Sequence, residues 1–306
     1  MDKRKVIIDT DPGIDDAVAL ALAIYAESID VQLITTVCGN VNLEKVSLNA
    51  LKLLKFFDSK IPVAKGAAEP LIEPYSDAAA IHGESGLRGF EGVELAEENL
   101  LDQHAVLAMA ELLKASSEKV TIMALGPLTN IALLLKLFPE IKEQISEIVF
   151  MGGSLTRGNK GVMSEFNIAT DPEAAKIVFD SGLPLTMISL DIGHQARIEL
   201  DDINALKELG KVGQMLYSLF VNYRSGSIDK GLNVYDACAS AYLLKPELFA
   251  SRLANLDVEL AGLATRGCTV VDLDDLTERE ANANICTEVD GRGFRKWFLD
   301  CIAQAG

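Results

Sequence analysis

Short runs of β-branched residues alternate with longer helical patterns through the first two thirds of this chain. The first strand patterns occupy residues 5–9, 31–37 and 61–64, and helical patterns fill residues 14–28 and 44–57 between them. This alternation is typical of βαβ units, in which neighbouring strands run parallel and each connection contains a helix. The chain is therefore expected to build a sheet with helices on its faces.

The alternation resumes after a polar region, and its strand patterns are now almost wholly apolar. The runs TIMAL and EIVFM lie within residues 119–126 and 147–153, and such runs suit a sheet covered on both faces. Two further helices and two further strands are predicted within residues 201–225, 236–244, 256–262 and 269–273. We predict one α/β domain over residues 1–306, with a mostly parallel central sheet flanked by helices and an active site at the carboxyl ends of the strands.

The charge balance restricts the partners of this chain. Its 306 residues carry 28 Lys and Arg against 45 Asp and Glu, a formal net charge of −17, which repels both phosphate backbones and anionic lipids. We predict no nucleic-acid partner and no membrane partner. Five scattered cysteines without a CxxC pair favour a reducing compartment. The chain shows no signal-peptide pattern, so a cytoplasmic location is expected.

Aspartates crowd the turn between the first strand and the first helix. Asp9, Asp11, Asp15 and Asp16 fall within eight positions, and Pro12–Gly13 makes a tight turn among them. Four like charges this close need a cation or raised pKa values. Oxygen ligands on an irregular loop suit Ca²⁺ or Mg²⁺ and argue against zinc. The alternative interpretation is that Asp15 and Asp16 only begin the helix.

Two polar stretches, residues 66–100 and 152–170, are too long for ordinary connections and are predicted to be binding loops. The second follows the strand at 147–151 and contains Glu165 and Asn167 on either side of an aromatic residue. In an extended segment these two side chains point the same way. They are therefore interpreted as contacts to a hydroxylated ligand, with a solvated loop as the alternative.

Other strand ends carry weaker signals. The segment ALGPLTN leaves the carbonyl of Leu125 at a strand end, where it could complete a calcium shell. An ordinary turn with Thr129 or Asn130 as a helix cap explains the segment equally well. Asn40 lies just past the second strand, and Asp236 begins an apolar helix, where capping is the simplest interpretation.

Several segments taken together resemble the calcium-dependent nucleoside hydrolase family of the inosine-uridine preferring type. They are DTDPGIDDA (9–17), TTVCGN, HGESGL (82–87), ALGPLTNIA, MGGS through EFN, DPEAA and YDACA. Their order and spacing are similar along nearly the whole chain, most of all to the bacterial, base-non-specific members. The resemblance implies the nucleoside hydrolase fold and hydrolysis of purine or pyrimidine ribonucleosides to ribose and free base. It also implies tightly held Ca²⁺, a role in nucleoside salvage, and a homotetramer or homodimer.

The resemblance also implies roles for individual residues. The implied metal ligands are Asp11, Asp16, the Leu125 carbonyl and Asp236. Asp11 would also be the base that takes a proton from the attacking water. The implied ribose contacts are Asp15, Asn40, Met151, Asn159, Glu165, Asn167 and Asp236. His82 and Phe166 would line the 5′ and base side of the pocket, and His82 joins Asp11 and Tyr235 as a catalytic candidate.

One residue departs from the family pattern. The position before the second metal aspartate is often His in relatives, where it protonates the departing base, and here it is Tyr235. A phenol is a weaker acid than imidazolium at neutral pH. Either Tyr235 donates, or Tyr217, Tyr223 or Arg224 substitutes for it, or activation of the base is weak. Of the other histidines, His104 is expected at the surface and His194 in a structural role.

Two other functions are compatible with parts of the sequence. A DxD motif after the first strand is also how haloacid-dehalogenase-type phosphatases begin, with Asp9 as the nucleophile, although the later strand ends lack the required Lys. A nucleoside-binding protein without turnover is the second alternative, and it is motivated by Tyr235.

Overall fold

The computed structural model describes residues 3–76, 78, 83–223 and 228–305. The strands found in these residues are β1 (Arg4–Thr10), β2 (Ile29–Thr36), β3 (Val63–Lys65), β4 (Val120–Ala124), β5 (Ile145–Met151), β6 (Leu185–Ile188), β7 (Phe249–Val258), β8 (Thr269–Asp272) and β9 (Ala283–Val289). They form one sheet in the order β3-β2-β1-β4-β5-β6-β9-β7-β8. Neighbours from β3 to β9 are parallel, and β7 pairs antiparallel with both β9 and β8. The predicted α/β domain with a mostly parallel sheet is confirmed.

Helices connect the strands and cover both faces of the sheet. Within the same residues they are α1 (Ile14–Ile24), α2 (Leu43–Phe56), α3 (Ala105–Ala115), α4 (Thr129–Leu137), α5 (Phe166–Thr170), α6 (Pro172–Phe179), α7 (Leu190–Gln195), α8 (Leu200–Ala205), α9 (Gly210–Asn222), α10 (Tyr235–Leu244) and α11 (Gly291–Ala305). One apolar core contains side chains of α1, α2, α9, α10 and α11, and a second contains those of α3, α4 and α6.

The strand β1 shows how the sheet divides the two cores. Val6 and Ile8 belong to one core and Ile7 to the other, because successive side chains of a strand point to opposite faces. All three are fully buried. A strand covered on both faces loses the polar alternation of a half-exposed strand, as the apolar runs in the sequence predict.

Two predicted elements differ from the structure. The helix predicted over 201–225 is divided: α8 ends at Ala205, a 3₁₀ turn follows over Leu206–Glu208, and α9 begins at Gly210, which has a left-handed φ of 69°. Residues 224–225 lie outside the described residues. The strand predicted within 256–262 begins earlier and ends at Val258. The divided helix matters for the site, since the end of α9 lies beside it.

Parallel strands that share a direction bring their carboxyl ends to one edge of the sheet. The residues after β1, β2, β4 and β5 therefore meet there, although they are far apart in sequence. Among the described residues, none of the helices has the length and apolar character needed to cross a bilayer.

Candidate active site

A cleft opens at the carboxyl edge of the sheet and holds about 530 Å³ of empty space, part of it open to solvent. The residues that line it come from nine separate parts of the chain, and they are Asp15, Asn40, Ala78, Leu125, Met151, Asn159, Glu165, Phe166, Asn167, Tyr223, Tyr235 and Asp236. Every ribose contact implied by the resemblance is among them.

The floor of the cleft carries a cluster of buried aspartates. Oxygen atoms of Asp15, Asp16 and Asp236 all lie within 4.8 Å of one another. Asp15 and Asp16 are in the first turn of α1, and Asp236 is in the first turn of α10, so the ends of two helices bring them together. Asp236 is the second residue of its helix and not a cap. The fourth carboxylate, Asp11, adjoins this group from the loop between β1 and α1.

Burial and mutual repulsion destabilise the charged forms of these carboxylates. Desolvation raises the pKa of Asp11 well above its ordinary value, and the charge of Asp16 adds to the effect. The pKa of Asp236 is raised well above its ordinary value by burial first and then by the charges of Asp15, Asp16 and Asp11. Burial also raises the pKa of Asp16. A cation bound among them would offset the repulsion.

Asn40 fixes the orientation of two of the aspartates. Its backbone N–H donates to Oδ2 of Asp11 at 2.7 Å, and its side-chain amide donates to Oδ2 of Asp16 at 3.1 Å. The Thr10 hydroxyl donates to the other oxygen of Asp16 at 2.5 Å, and the Gly13 N–H donates to Oδ2 at 2.9 Å. Thr10 was not a predicted site residue, although its position between Asp9 and Asp11 in the sequence could have indicated it.

Two glycines leave room for the Asp11 carboxylate. A Cβ added at Gly39 would overlap Oδ2 of Asp11, and one added at Gly126 would lie 2.7 Å from Oδ1. In both cases the added Cβ would be closer to the carboxylate oxygen than van der Waals contact allows, so a side chain at either position would displace the carboxylate. Because Gly39 follows β2 and Gly126 follows β4, the carboxylate is enclosed from both neighbouring strands.

The polar loop after β5 forms another side of the cleft. Glu165 caps α5, with Oε1 accepting from the Asn167 N–H at 2.9 Å and Oε2 accepting from Gly153 and Ile168 at 2.9 and 3.1 Å. The expectation that Glu165 and Asn167 lie in an extended segment is therefore wrong, because the carboxylate begins a helical turn there. Both residues still reach the cleft. Burial raises the pKa of Glu165 to about 7.

The Asn167 amide holds two strand ends together. Its Nδ2 donates to the carbonyl of Leu125 at 2.7 Å and to that of Met151 at 3.1 Å. The Leu125 carbonyl therefore already accepts one hydrogen bond, and a carbonyl oxygen can accept a second. Since both amide hydrogens point at the strand ends, the Asn167 side-chain oxygen is the atom available for a ligand hydroxyl.

The donor set fits a hard divalent cation. Asp11, Asp15, Asp16 and Asp236 offer carboxylate oxygens and Leu125 a carbonyl oxygen, which are the ligands that calcium and magnesium prefer. Among the described residues, Oδ1 of Asp11 is a buried oxygen without a hydrogen-bond partner. A buried carboxylate oxygen in that state is costly unless an ion or a proton satisfies it. The cluster can therefore hold a metal ion.

Three aromatic residues, Phe166, Tyr223 and Tyr235, also line the cleft and form its aromatic wall. Tyr235 precedes Asp236 on α10, and Tyr223 follows the end of α9; both line the cleft and are buried. Phe166 also lines it, and its N–H donates to Oδ1 of Asn159 at 2.8 Å.

Several histidines and alternative acids have other positions. His82 and Arg224 lie outside the described residues. His104 is an exposed N-cap of α3, as expected. Tyr217 is not among the cleft residues and packs under the ammonium of Lys207. His194 lies on α7 with Nε2 3.4 Å from the Tyr235 hydroxyl, and its structural role stays a prediction.

Asp9 does not face the cleft. It is fully buried, and its Oδ1 accepts from the Thr35 hydroxyl and from Nδ2 of Asn130 at 2.8 Å. Asn130 also donates to the Thr36 carbonyl and accepts from the Ala67 N–H. Sequence reasoning treated Asn130 only as a cap candidate and missed this network. A phosphatase nucleophile must reach its substrate, so the Asp9 hypothesis is wrong.

Comparisons with known proteins agree on the kind of protein that carries this site. The sequence model described as inosine-uridine preferring nucleoside hydrolase matches residues 6–296. The non-specific ribonucleoside hydrolase RihC of Escherichia coli is 48% identical over 300 residues, which cover 98% of each chain. Among solved structures, a purine-preferring ribonucleoside hydrolase from Gardnerella vaginalis superposes with a TM-score of 0.90 at 29% identity and covers 99% of both chains. An inosine-guanosine nucleoside hydrolase gives a TM-score of 0.90 at 30% identity over 98% of both chains.

Proposed function

The chain belongs to the inosine-uridine preferring nucleoside hydrolase family and hydrolyses the N-glycosidic bond of ribonucleosides, and we propose that it does so with Ca²⁺ held by the aspartates of the cleft floor. The observation that carries this proposal is the position of the aspartate cluster. It lies at the bottom of a cleft whose sides present hydroxyl-binding groups from Asn40, Glu165 and Asn167. Cation and sugar would therefore be bound side by side.

The proposed calcium ligands are Asp11, Asp16, the Leu125 carbonyl and Asp236. Calcium takes more oxygen ligands than magnesium and tolerates irregular geometry, which suits ligands from two helix ends, a loop and a strand end. When bound, the ion would polarise a water molecule and favour the loss of its proton. Asp236 lines the cleft directly, so the same residue would contact both ion and sugar.

Asp11 is the proposed general base. Its Oδ2 accepts from the Asn40 N–H, while Oδ1 has no partner among the described residues and is free to take a proton. Without a metal ion, burial raises the pKa of Asp11 above its ordinary value, and the charge of a bound cation would oppose this effect. General-base assistance of this kind contributes about 10²–10⁴-fold to a rate.

The rest of the site stabilises the developing charge on the sugar. Breaking the bond between C1′ and the base nitrogen leaves an oxocarbenium-like ribose, and nearby carboxylates stabilise its positive charge. Asp15, Asn40, Asn159, Glu165 and Asn167 are the proposed hydroxyl contacts, with Met151 beneath the sugar. The electron pair of the broken bond leaves with the base, toward the wall formed by Tyr235 and Phe166. His82 is proposed on the 5′ side.

The remaining proposals concern the setting of the enzyme. A non-specific choice of nucleobase is supported by the 48% identity to an enzyme named for that property. We propose a homotetramer or homodimer that acts in the cytoplasm in nucleoside salvage. Scattered free cysteines support a reducing compartment.

The proposal is tested with purified protein and a panel of inosine, adenosine, xanthosine, uridine and cytidine. Reducing-sugar release is measured after chelation, and again after addition of Ca²⁺ or of Mg²⁺. We expect ribose release to need a divalent ion, and Ca²⁺ to restore it more fully than Mg²⁺. Isothermal titration of the chelated protein should show calcium binding in the absence of substrate.

Three outcomes would contradict parts of the proposal. Full activity after chelation would remove the cation from the mechanism. Restoration by Mg²⁺ alone would replace calcium by magnesium. Nucleoside binding without ribose release would support the alternative of a binding protein.

A further inference from the structure

A chain of hydrogen bonds ends at the tyrosine of the cleft wall. The Arg197 Nε donates to Oδ1 of Asn233 at 3.3 Å, and Nδ2 of Asn233 donates to the Tyr235 hydroxyl oxygen at 3.0 Å. The same hydroxyl lies 3.4 Å from Nε2 of His194. Tyr235 lines the cleft, whereas Arg197, Asn233 and His194 do not. Three residues outside the cleft are thus linked to the hydroxyl of a residue that lines it.

The donor and acceptor roles along these hydrogen bonds follow from the chemistry of the Arg197 guanidinium. A guanidinium group has donors and no acceptor, so the Asn233 side chain must turn its oxygen toward Arg197. Its NH₂ group then faces Tyr235, whose hydroxyl oxygen becomes an acceptor. Because that lone pair is occupied, the single hydroxyl hydrogen of Tyr235 must point elsewhere.

Only a few directions remain for that hydrogen. The Tyr235 ring is held by Gly193, where an added Cβ would overlap the ring, and by an edge contact with His194 whose ring centroids are 5.8 Å apart. Tyr235 as a whole is buried, with a relative exposure of 7%. When Nε2 of His194 carries a hydrogen, both neighbours donate to the tyrosine oxygen, and the hydroxyl hydrogen is left for a ligand in the cleft.

We propose that Asn233, oriented by Arg197, and His194 are positioning residues that aim the Tyr235 hydroxyl at the departing nucleobase. This inference rests on the proposed function, because it assigns a donor to the leaving group of that reaction. The hydroxyl donates a hydrogen bond to a ring atom of the base as the C1′–N bond breaks. The base leaves with the electron pair of that bond, water supplies the hydroxyl to C1′, and the water proton balances the charge of the base.

The substitution Asn233→Asp tests whether the hydrogen bond that Asn233 donates to the Tyr235 hydroxyl is needed. Aspartate keeps the shape of the side chain and its pairing with Arg197, but it has no hydrogen to donate. Its second oxygen would accept the Tyr235 hydrogen and turn it away from the cleft. We expect kcat for inosine and uridine to fall about 10- to 100-fold, somewhat less than removal of a direct transition-state donor costs. KM should change less than kcat.

An aryl riboside separates positioning from structural damage. The nitrophenolate of p-nitrophenyl β-D-ribofuranoside leaves without help from a donor, so its release should stay within about twofold in Asn233→Asp. The matched control is Asn204→Asp, an exposed asparagine that accepts from Lys207 at 3.1 Å on α8 and lies away from the cleft. It adds the same charge beside a cation and should leave all substrates unchanged.

Coupling to Tyr235 completes the test. If Asn233 acts through the hydroxyl, Tyr235→Phe should lower nucleoside turnover, and adding Asn233→Asp to that variant should cost less than twofold more. His194→Phe keeps an aromatic ring and removes Nε2, and it should lower nucleoside turnover about 3- to 10-fold.

The results that would overturn the proposal are distinct from failure of the proposed function. Equal losses on nucleosides and aryl riboside, or additive losses in the double variant, would make Asn233 a structural residue. Unchanged nucleoside turnover in Asn233→Asp would show that these hydrogen bonds have no role in turnover. A wild-type protein that released no ribose from any riboside would instead contradict the hydrolase itself.

Discussion

The floor and the aromatic wall of the cleft are built in different ways. The floor consists of Asp11, Asp15, Asp16 and Asp236, and its carboxylates are enclosed by strand ends and the first turns of two helices. The wall consists of Tyr223, Tyr235 and Phe166, which lie at helix ends and beside loops. The difference indicates a division of labour. In the proposed mechanism, the enclosed floor would hold the sugar and the ion, which are the same for every nucleoside, and the wall beside loops would face the base, which varies.

The largest effect is expected from the floor. Asp11→Asn removes the proposed base and a ligand charge, so turnover of all nucleosides should fall by at least about 10³-fold. The metal-free protein should keep or raise its Tm, because one of several repelling carboxylates is gone. Steady-state kinetics and calorimetry measure the two effects. Normal turnover would remove Asp11 from the mechanism.

Asp171 supplies the matched control for that variant. It is also a buried aspartate, but it lies outside the floor and both of its oxygens accept hydrogen bonds, Oδ2 from the Thr129 hydroxyl and the Leu71 N–H and Oδ1 from the Ala174 N–H. Asp171→Asn should therefore lower stability by about 1–3 kcal/mol while the folded enzyme keeps its turnover. Equal losses of turnover in Asp11→Asn and Asp171→Asn would show that the loss does not depend on a position in the floor.

Glu165 links the side of the cleft to pH. Its pKa is about 7 in the folded protein because of burial, against 4.5 ordinarily, so the folded state binds more protons than the unfolded chain between these values. The stability from this group is present below pH 4.5 and is lost as the pH rises to 7. The loss is at most about 3 kcal/mol. Urea unfolding of the chelated protein at pH 5 and 7.5 should show this slope, and Glu165→Gln should reduce it.

Control for the pH experiment comes from the same variant. Glutamine does not titrate, so the unfolding free energy of the wild type should fall relative to that of Glu165→Gln as the pH rises. Parallel slopes for both proteins would show that Glu165 is already ionised at pH 5.

The smallest effect is expected from the wall. Phe166 presents a half-buried ring to the cleft, with the Lys160 ammonium 5.3 Å from its centroid. Phe166→Leu keeps apolar bulk but removes the aromatic face, so KM should rise about 2- to 10-fold with kcat within twofold. A fall in kcat as large as that of Asp11→Asn would abolish the distinction between floor and wall.

The fold and most of the floor could be predicted from the sequence. Strand and helix patterns are local, and the carboxyl ends of parallel strands meet wherever the loops between them are short. Asp15, Asn40 and Asp236 line the cleft as the family motifs imply. Their metal and sugar roles stay predictions.

Contacts that depend on tertiary packing could not be predicted. Asn130 looks like a cap in the sequence, yet its amide connects Asp9, Thr36 and Ala67 from three other segments. His194 and Tyr235 are 41 residues apart, and no local pattern relates them. The continuous helical pattern over 201–225 is divided in the structure between Ala205 and Gly210. Each of these features depends on contacts between segments that only the folded chain brings together.

Gly39 and Gly126 take part in no chemistry, yet the place of one carboxylate depends on the atoms they lack. A survey that replaced every residue in turn would therefore score both as intolerant and give no hint of a functional group. Introducing a methyl group at either position should inactivate the enzyme, although no acid, base or ligand is substituted. Redesign of this enzyme must thus preserve empty volume as strictly as it preserves aspartates.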